Sequence, residues 1–320
     1  MHALEKIDIT KASAFTSISE IRSVLSQEFG IERIHSCSPL AGDSSCNLHV
    51  VDSRSQQYVL RIVLAYPKSH VETQIAYERC ITQAGLPVPE YLTTSSGSPV
   101  SVLNSGKPLL VQKFADGKHP ELTIENCSEM GRNLALLHKV NYQELPSKTH
   151  WMSANYHQQK LAELTELKDR AILEQLTERF NALSPLVHDP LLPKAIIHGD
   201  SHEENVLFKN GQLSAWLDWE EAGVDSAIID IGLSALWFCF DQTKLDTKRF
   251  DALLTSYNNT RPLSDLETGR VIDALEYATL TACCWRFWNY GLTNPESNEL
   301  EIAYERMAID FDAIRRDYQS

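Results

Sequence analysis

The chain has 320 residues, enough for one large or two moderate domains. Acidic residues outnumber basic ones by 43 to 29, and the net charge of −14 argues against a nucleic-acid-binding protein, because phosphate backbones select basic surfaces. No apolar run approaches the roughly 20 residues needed to cross a bilayer, and the start lacks a basic segment followed by an apolar core. We expect a cytoplasmic protein that binds neither nucleic acid nor membrane.

The first third of the chain predicts a small sheet with packed helices. Residues 13–29 carry apolar side chains at helical spacing, and residues 71–84 show a second helical pattern that stops at Gly85. Strand-like runs occur at four places, namely 46–51, 57–64, 99–102 and 109–114. We expect these strands to form a small antiparallel sheet.

From Glu121 onward the sequence changes to mostly helical patterns. Six helices are predicted, at 124–140, 155–183, 226–240, 248–257, 264–290 and 299–316. The break between the two kinds of pattern falls near Ala115-Asp116-Gly117. We therefore predict an α+β chain of two lobes joined by a short hinge. The N-lobe would comprise residues 1–113 with the sheet, and the larger, mostly helical C-lobe residues 114–320.

The segment that begins at His198 carries the polar groups that a phosphoryl-transfer enzyme needs. Asp200 is followed after four intervening residues by Asn205, and Asp218 lies beyond a short hairpin, which is the spacing of a kinase catalytic loop. In that arrangement one aspartate accepts the proton of the attacking hydroxyl, and the other two groups hold Mg²⁺. The pattern predicts Asp200 as catalytic base and Asn205 and Asp218 as metal ligands, with ATP and Mg²⁺ as cofactors.

A predicted hairpin explains how the metal ligands meet. Apolar runs at 205–208 and 213–218 flank Asn210-Gly211, and Asn-Gly is the strongest short hairpin signal. Folding the chain about this pair sets Asn205 opposite Trp216 and puts Asp218 diagonally across on the same face, roughly 7 Å away. Side chains at that separation can share one cation.

A kinase also needs groups that bind the nucleotide. The turn around Gly42, Ser44 and Ser45 precedes a hairpin strand, where backbone N–H groups can meet phosphate oxygens. At the hinge, backbone groups from Gln112 to Phe114 would hydrogen-bond to adenine.

Arg61 is a lone cation in an apolar strand and predicts a group that pairs with the phosphates. Its planar guanidinium can bind two oxygens at once, on a strand where protein kinases carry a lysine. Such a cation needs an acidic partner on the following helix. The candidates are Glu72, Gln74 and Glu78, and Glu78 is favoured.

These residues resemble the aminoglycoside phosphotransferase and choline kinase superfamily, the small-molecule branch of the protein-kinase-like fold. The resemblance extends over most of the chain and is carried by the motifs at 42–47, 58–61, 85–89, 134–138, 198–205, 218–220 and 230–232. Within it, the C-terminal part looks most like the homoserine kinase group, through residues 213–214, 261–264 and 285–290. The resemblance implies Asp200 as base, Asn205 and Asp218 as Mg²⁺ ligands, and Arg61 near the phosphates. It also implies that Asp230 braces the catalytic loop together with His198.

Two features separate the chain from protein kinases. The residue before Asp200 is Gly199, so the arginine that would receive an activation-loop phosphate is absent. Only a short stretch separates Asp218 from Asp230, too short for a long phosphorylatable loop. We therefore expect a small-molecule substrate and an enzyme that is active as synthesised.

The substrate hypothesis is a small metabolite that bears an amine and a hydroxyl, with homoserine as the first candidate. Glu220, or one of its acidic neighbours Glu203, Glu204 and Glu221, would receive the ammonium group. Arg286 would pair with a carboxylate, and Trp285 is a candidate for the pocket wall.

Other functions stay open at this stage. The alternatives within the same fold are an aminoglycoside, choline, ethanolamine or sugar kinase. A member that phosphorylates proteins and a non-catalytic, nucleotide-binding pseudokinase are also possible. The protein would act as a monomer or a homodimer.

Overall fold

The computed structural model of the protein describes residues 9–42, 44–164, 169–291, 293–294 and 296–319. The chain divides into two compact units. The first comprises the residues up to Ala76 together with Val88–Asp116, and the second comprises Tyr77–Pro87 and the residues from Gly117 onward.

The first unit is built on a five-stranded antiparallel sheet. Its strands are β1 (Ile34–Leu40), β2 (Ser45–Asp52), β3 (Gln57–Val63), β4 (Val100–Val102) and β5 (Pro108–Lys113), in the spatial order β1-β2-β3-β5-β4. The sequence did not predict β1. This strand lies at the sheet edge, is mostly exposed and contains Pro39, so it lacks the apolar alternation by which strands are recognised.

Two helices complete this unit. Helix α1 (Ile18–Gln27) begins where the Ser17 side chain accepts the Glu20 N–H, and its buried Ile21 and Leu25 join the core of the sheet. Helix α2 (Lys68–Gln83) places Val71 and Ile75 in a second apolar cluster of the sheet.

The second unit is mostly helical. Its helices are α3 (Ile124–Leu137), α4 (Ala154–Glu163), α5 (Arg170–Val187), α6 (Ala227–Phe238), α7 (Thr247–Thr260), α8 (Asp265–Thr268), α9 (Val271–Tyr290), α10 (Asn298–Met307) and α11 (Phe311–Gln319). Three two-stranded ladders accompany them. These are β6 (Lys194–Ile197) with β9 (Gly223–Ser226), β7 (Val206–Lys209) with β8 (Gln212–Trp216), and β10 (Phe240–Asp241) with β11 (Lys244–Leu245). The predicted α+β class, a small antiparallel sheet followed by a larger helical part, is confirmed.

Where the sequence predicted three of the long helices, the structure has two shorter helices each. They are α4 with α5, α8 with α9, and α10 with α11. The first junction includes residues 165–168, which lie outside the described residues. At the second, Ser264 and Glu267 form a capping box that closes the single turn of α8 before Gly269. At the third, the Asp310 side chain accepts the Ala313 N–H and so starts α11.

Helices α6 and α9 are buried over most of their length within the second unit, and α6 is apolar on nearly all sides. In the described part of the chain, no helix is both long and apolar enough to cross a membrane. The two helices meet at Gly232, where an added Cβ would overlap the backbone of Ala274. Only glycine allows this close approach.

We expect Gly232→Ala to lower the free energy of unfolding by about 1–3 kcal/mol, because the methyl group forces the two helices apart. The measurement is the midpoint of thermal unfolding. Gly211→Ala is the control for the loss of a glycine, since a Cβ at Gly211 meets nothing within 4 Å and only the φ of +74° is strained there. A Gly232→Ala protein as stable as the wild type would contradict the close packing of α6 on α9.

Candidate active site

Asp200 is delivered by a buried strand and a glycine turn. Ala195, Ile196 and Ile197 of β6 are fully buried, and the chain then turns at Gly199 with φ +79°. A Cβ at Gly199 would lie 2.5 Å from the Glu221 carbonyl oxygen, so both the backbone conformation and the available space require glycine. The turn leaves Asp200 half-buried directly after a rigid strand.

The imidazole of His198 is fixed on both nitrogens. Nε2 lies 2.8 Å from the Leu217 carbonyl oxygen, to which it can only donate, and Nδ1 lies 3.2 Å from the Asp200 N–H, from which it can only accept. These two bonds specify the neutral ring with its proton on Nε2. Burial among the rings of Trp216 and Trp219 lowers the pKa of His198, in agreement with a neutral ring.

Asp230 of α6 holds the turn from beneath. Its carboxylate accepts the backbone N–H of His198 at 2.6 Å and that of Gly199 at 2.9 Å, and it is completely buried. Burial alone would raise the pKa of Asp230, but the hydrogen bonds from His138 and from the Gly199 N–H lower it below its usual value. An ionised carboxylate therefore sits under the catalytic loop.

Asn205 ties the far end of the loop to Asp200. Its Nδ2 amide donates to both the backbone carbonyl and the Oδ2 of Asp200, each at 2.9 Å, which leaves the side-chain carbonyl oxygen for another ligand. The His202 Nε2 lies 3.4 Å from the same Oδ2. Burial lowers the pKa of His202, but the hydrogen bond and the charge of Asp200, together with the charges of Glu203 and Glu204, outweigh burial and raise it.

The β7–β8 hairpin differs from its predicted register by one residue. The turn at Asn210-Gly211 forms as expected, with Lys209 opposite Gln212, but Val206 rather than Asn205 lies opposite Trp216. The shift arises because Ser214 is an extra residue in β8, a bulge whose hydroxyl donates to the Leu207 carbonyl.

The bulge brings Leu217 into line with Asn205. The Leu217 N–H donates to the Asn205 carbonyl at 2.7 Å, and the Leu217 carbonyl accepts the proton of His198 Nε2. The backbone of Leu217 thus joins the hairpin to the catalytic loop. Asp218 follows immediately, in a left-handed conformation with φ +55° that aspartate tolerates better than most residues.

The segment from Lys148 to Trp151, called the strap below, contacts both the turn at Gly199 and the residues that follow Asp218. The Lys148 ammonium donates to the Glu220 carbonyl, and the Trp151 indole N–H donates to the Gly199 carbonyl. The Trp151 backbone N–H donates to a carboxylate oxygen of Glu221 at 3.1 Å. Burial lowers the pKa of Lys148 despite the acidic groups around it. No sequence pattern predicted this strap, because the segment has no periodicity and no recognisable motif.

In the first unit, the turn at Gly42 borders a small cavity. The Asn47 amide donates to the Ala41 carbonyl at 2.8 Å, and the Lys11 ammonium donates to the Gly42 carbonyl at 2.6 Å. Ser45 lines the same cavity of about 170 Å³. The Asn47 side chain thus ties the residues before this turn to β2.

Arg61 lies in β3 and is buried. Its Nε–H donates to the Ser45 hydroxyl at 3.0 Å, which joins two of the residues predicted to contact phosphate. Of the predicted acidic partners, Glu72 forms an ion pair with Lys68 at 3.4 Å, and Glu78 is buried in α2. The pairing of Arg61 with an acid stays a prediction.

The predicted adenine contacts require one correction. The Phe114 N–H already donates to the Gln57 carbonyl at 3.0 Å, and the Lys113 N–H donates to the Glu90 carbonyl at 2.8 Å. The Phe114 bond continues the pairing of β5 with β3 by one residue past the end of β5. The Phe114 N–H is therefore not available to adenine, and contacts of adenine with the carbonyl groups of Gln112 and Phe114 stay predictions.

The predicted substrate residues lie in two places of the second unit. Glu220 is half-buried beside Asp218, where its carbonyl accepts from Lys148. Arg286 of α9 already forms an ion pair with Glu299 at 2.9 Å. Trp285 is half-buried, with its ring 5.8 Å from that of Tyr290.

Comparison with known families identifies the chain. The model of the phosphotransferase enzyme family matches residues 36–263, which include every predicted base, metal and phosphate residue. The chain belongs to this family. Two relatives are homoserine kinases. That of Polaromonas naphthalenivorans is 28% identical over 285 residues, covering 86% of this chain and 88% of its own, and that of Pseudomonas aeruginosa is 29% identical, covering 81% of each.

Solved structures of this family share the fold. An amicoumacin kinase in complex with AMP-PNP, Ca²⁺ and Ami superposes with a TM-score of 0.73 at 16% identity, over 96% of this chain and 99% of its own. A choline/ethanolamine kinase family protein from Mesorhizobium loti gives a TM-score of 0.69 at 18% identity, over 94% and 96%. The predicted superfamily, its kinase-like fold and the enzyme class of small-molecule kinase are confirmed. The roles of individual residues stay predictions.

Proposed function

We propose that the protein transfers the γ-phosphoryl group of ATP to the hydroxyl of homoserine. The observation that carries the proposal is the junction of Asp200, Asn205 and Asp218 through the Asn205 amide and the Leu217 backbone. The substrate is supported by the homoserine kinases that resemble the chain over more than four-fifths of its length.

The donor set suits a hard divalent cation. An amide oxygen from Asn205 and a carboxylate from Asp218 are ligands that Mg²⁺ accepts, and Mg²⁺ in proteins commonly keeps water and phosphate oxygens as its other ligands. The Asn205 amide nitrogen is committed to Asp200, which directs the amide oxygen away from it. When bound, Mg²⁺ would neutralise charge on the transferring phosphates.

Asp200 would accept the proton of the substrate hydroxyl. Both Asn205 and His202 approach Oδ2 of this carboxylate, so Oδ1 is the oxygen left to meet the hydroxyl. The hydroxyl oxygen then forms its bond to the γ-phosphorus as the bond to the ADP oxygen breaks. The bonds from Asp230 and Asn205 hold the base in place, and positioning supplies much of the catalysis in phosphoryl transfer.

The first unit would supply the nucleotide contacts. Arg61 and the backbone N–H groups around Gly42, Ser44 and Ser45 would pair with phosphate oxygens. The carbonyl groups of Gln112 and Phe114 would accept hydrogen bonds from adenine.

The test is ADP release by the purified full-length protein with a panel of acceptors. The panel contains homoserine, choline, ethanolamine, methylthioribose, kanamycin and a protein mixture. We expect kcat/KM for homoserine to exceed that for every other acceptor by about 100-fold or more, because a site built to bind polar groups rejects substrates that lack them. Preference for choline or kanamycin would refute the substrate and keep the kinase. A lack of turnover with every acceptor would refute the proposed activity.

A further inference from the structure

Among the buried side-chain atoms of the second unit that lack a hydrogen-bond partner in the described residues, three lie close to the catalytic loop. They are Nη1 of Arg306 in α10, Nε1 of Trp237 in α6 and Oε2 of Glu203 in the turn before β7. A buried polar atom without a partner is unfavourable, so native proteins leave few of them. Two donors and one acceptor therefore await partners that the described chain does not supply.

The three groups are neighbours. The Arg306 guanidinium lies over the rings of Trp237 and Phe240, with its carbon 5.9 Å and 5.4 Å from their centroids. Burial lowers the pKa of Arg306, and the nearby charge of Glu203 opposes this shift. A cation, an indole N–H and a carboxylate thus share one partly buried site.

This site adjoins the proposed catalytic base. The His202 ring lies 5.9 Å from the Trp237 ring, and its Nε2 lies 3.4 Å from Asp200 Oδ2. Glu203 is the next residue along the loop. A small molecule whose one end is bound by these groups would therefore reach Asp200 with its other end.

Arg306 offers more available hydrogen-bond donors than Arg286, the arginine that the sequence favoured. Arg286 binds Glu299 at 2.9 Å and the Ala282 carbonyl at 3.1 Å, and its guanidinium lies 5.4 Å from the Trp237 ring. Two guanidinium groups therefore share one indole and repel each other. An anion bound by Arg306 would relieve this repulsion and satisfy Nη1.

We propose that Arg306 and the Trp237 indole N–H bind the carboxylate of a zwitterionic amino acid, and that Glu203 binds its ammonium group. This inference rests on the proposed function and specifies how its substrate is recognised. The hydroxyl at the other end of the amino acid would face Asp200. Choline lacks the carboxylate, and a polycationic aminoglycoside would be repelled by the two arginines.

The test compares homoserine with two analogues that each lack one charged group. These are 3-aminopropan-1-ol, without the carboxylate, and 4-hydroxybutanoate, without the ammonium. For each variant, KM and kcat are measured with homoserine, and each analogue is measured as a substrate or as a competitive inhibitor. The variants are Arg306→Met and Glu203→Gln. Their controls are Arg316→Met and Glu301→Gln, which make the same changes on exposed side chains.

We expect Arg306→Met to lower kcat/KM for homoserine by about 30-fold or more, mainly through KM, because a charge-assisted hydrogen bond is lost. The affinity for 3-aminopropan-1-ol should change less than about 3-fold, because this analogue has no carboxylate that could bind the guanidinium. Glu203→Gln should show the converse selectivity, with homoserine weakened and 4-hydroxybutanoate unaffected. Both controls should behave as the wild type.

The outcomes separate this inference from the proposed function. Turnover of homoserine by the wild type, with Arg306→Met unimpaired, would overturn the recognition site and leave the function standing. An equal loss for homoserine and both analogues would also overturn it, because that pattern indicates a structural role. If Arg306→Met fails to fold, Arg306→Lys keeps the charge and must still show the selective loss. A wild type that prefers 3-aminopropan-1-ol to homoserine would overturn both proposals.

Discussion

Asp200→Asn should lower kcat by about 10²–10⁴-fold while the fold and nucleotide affinity persist. Asparagine has nearly the same shape, and its side-chain oxygen can still accept the Asn205 amide that now reaches Asp200 Oδ2. It cannot take the proton of the attacking hydroxyl. The effect should therefore appear in kcat, measured by ADP release with saturating homoserine, with little change in KM.

Asp251→Asn is the matched control, because Asp251 is exposed on α7 and the change removes the same charge. Its kcat should equal that of the wild type. Thermal unfolding and ATP affinity are measured for both variants, to separate the loss of the base from damage to the loop. An Asp200→Asn enzyme whose kcat stays within about 10-fold of the wild type would contradict general-base catalysis by this residue.

Asp230→Asn should destabilise the protein by about 2–4 kcal/mol at pH 7 and lower kcat as well. The carboxylate accepts two backbone N–H groups, one on each oxygen, whereas an amide offers one acceptor and one NH₂ group. One N–H at the turn would then face another donor in a completely buried site. The free energy of unfolding from denaturant titration gives the stability loss.

The pH dependence of this loss has a definite sign. The pKa of Asp230 is below its ordinary value of 3.8 in the folded protein, so the carboxylate stabilises the fold fully above that value. The stabilisation disappears as the pH falls through the lowered pKa. The difference between wild type and Asp230→Asn should therefore be constant from about pH 5 to 8 and narrow only in strong acid.

A buried aspartate outside the loop serves as the comparison. Asp273 in α9 pairs with Arg270 and Arg315 and makes no contact with the catalytic turn. Asp273→Asn should lower stability but leave kcat unchanged. If Asp230→Asn also left kcat unchanged, the brace would be structural only.

The sequence predicted the residues of the catalytic loop because they are polar residues at a characteristic short-range spacing. Asp200, Asn205 and Asp218 are polar residues at set intervals around one hairpin signal, and strands of apolar residues mark their positions. The helical part was also recognisable, since amphipathic periodicity survives in most of its helices. These features depend on neighbours within a few residues.

Other features depend on contacts between distant segments, and no local sequence pattern predicts them. The strap of Lys148 and Trp151 acts through bonds to Glu220 and Gly199, some 50 to 70 residues away. Arg306 stood out less than Arg286 in the sequence, because only the structure shows that Arg286 is already paired. The edge strand β1 was missed because an exposed edge needs no apolar alternation.

The extra residue at Ser214 determines which residue after β8 lies opposite Asn205, and it does so through the number of residues rather than their chemistry. Side chains alternate between the faces of a strand, so one inserted residue reverses the phase of everything after it. Here the inversion brings the Leu217 backbone, and not that of Trp216, into register with Asn205. The relative position of the two predicted metal ligands therefore depends on whether the number of residues between them is odd or even. Substitutions within β8 leave that number unchanged, whereas an insertion or deletion beyond the bulge would shift the pairing by one residue.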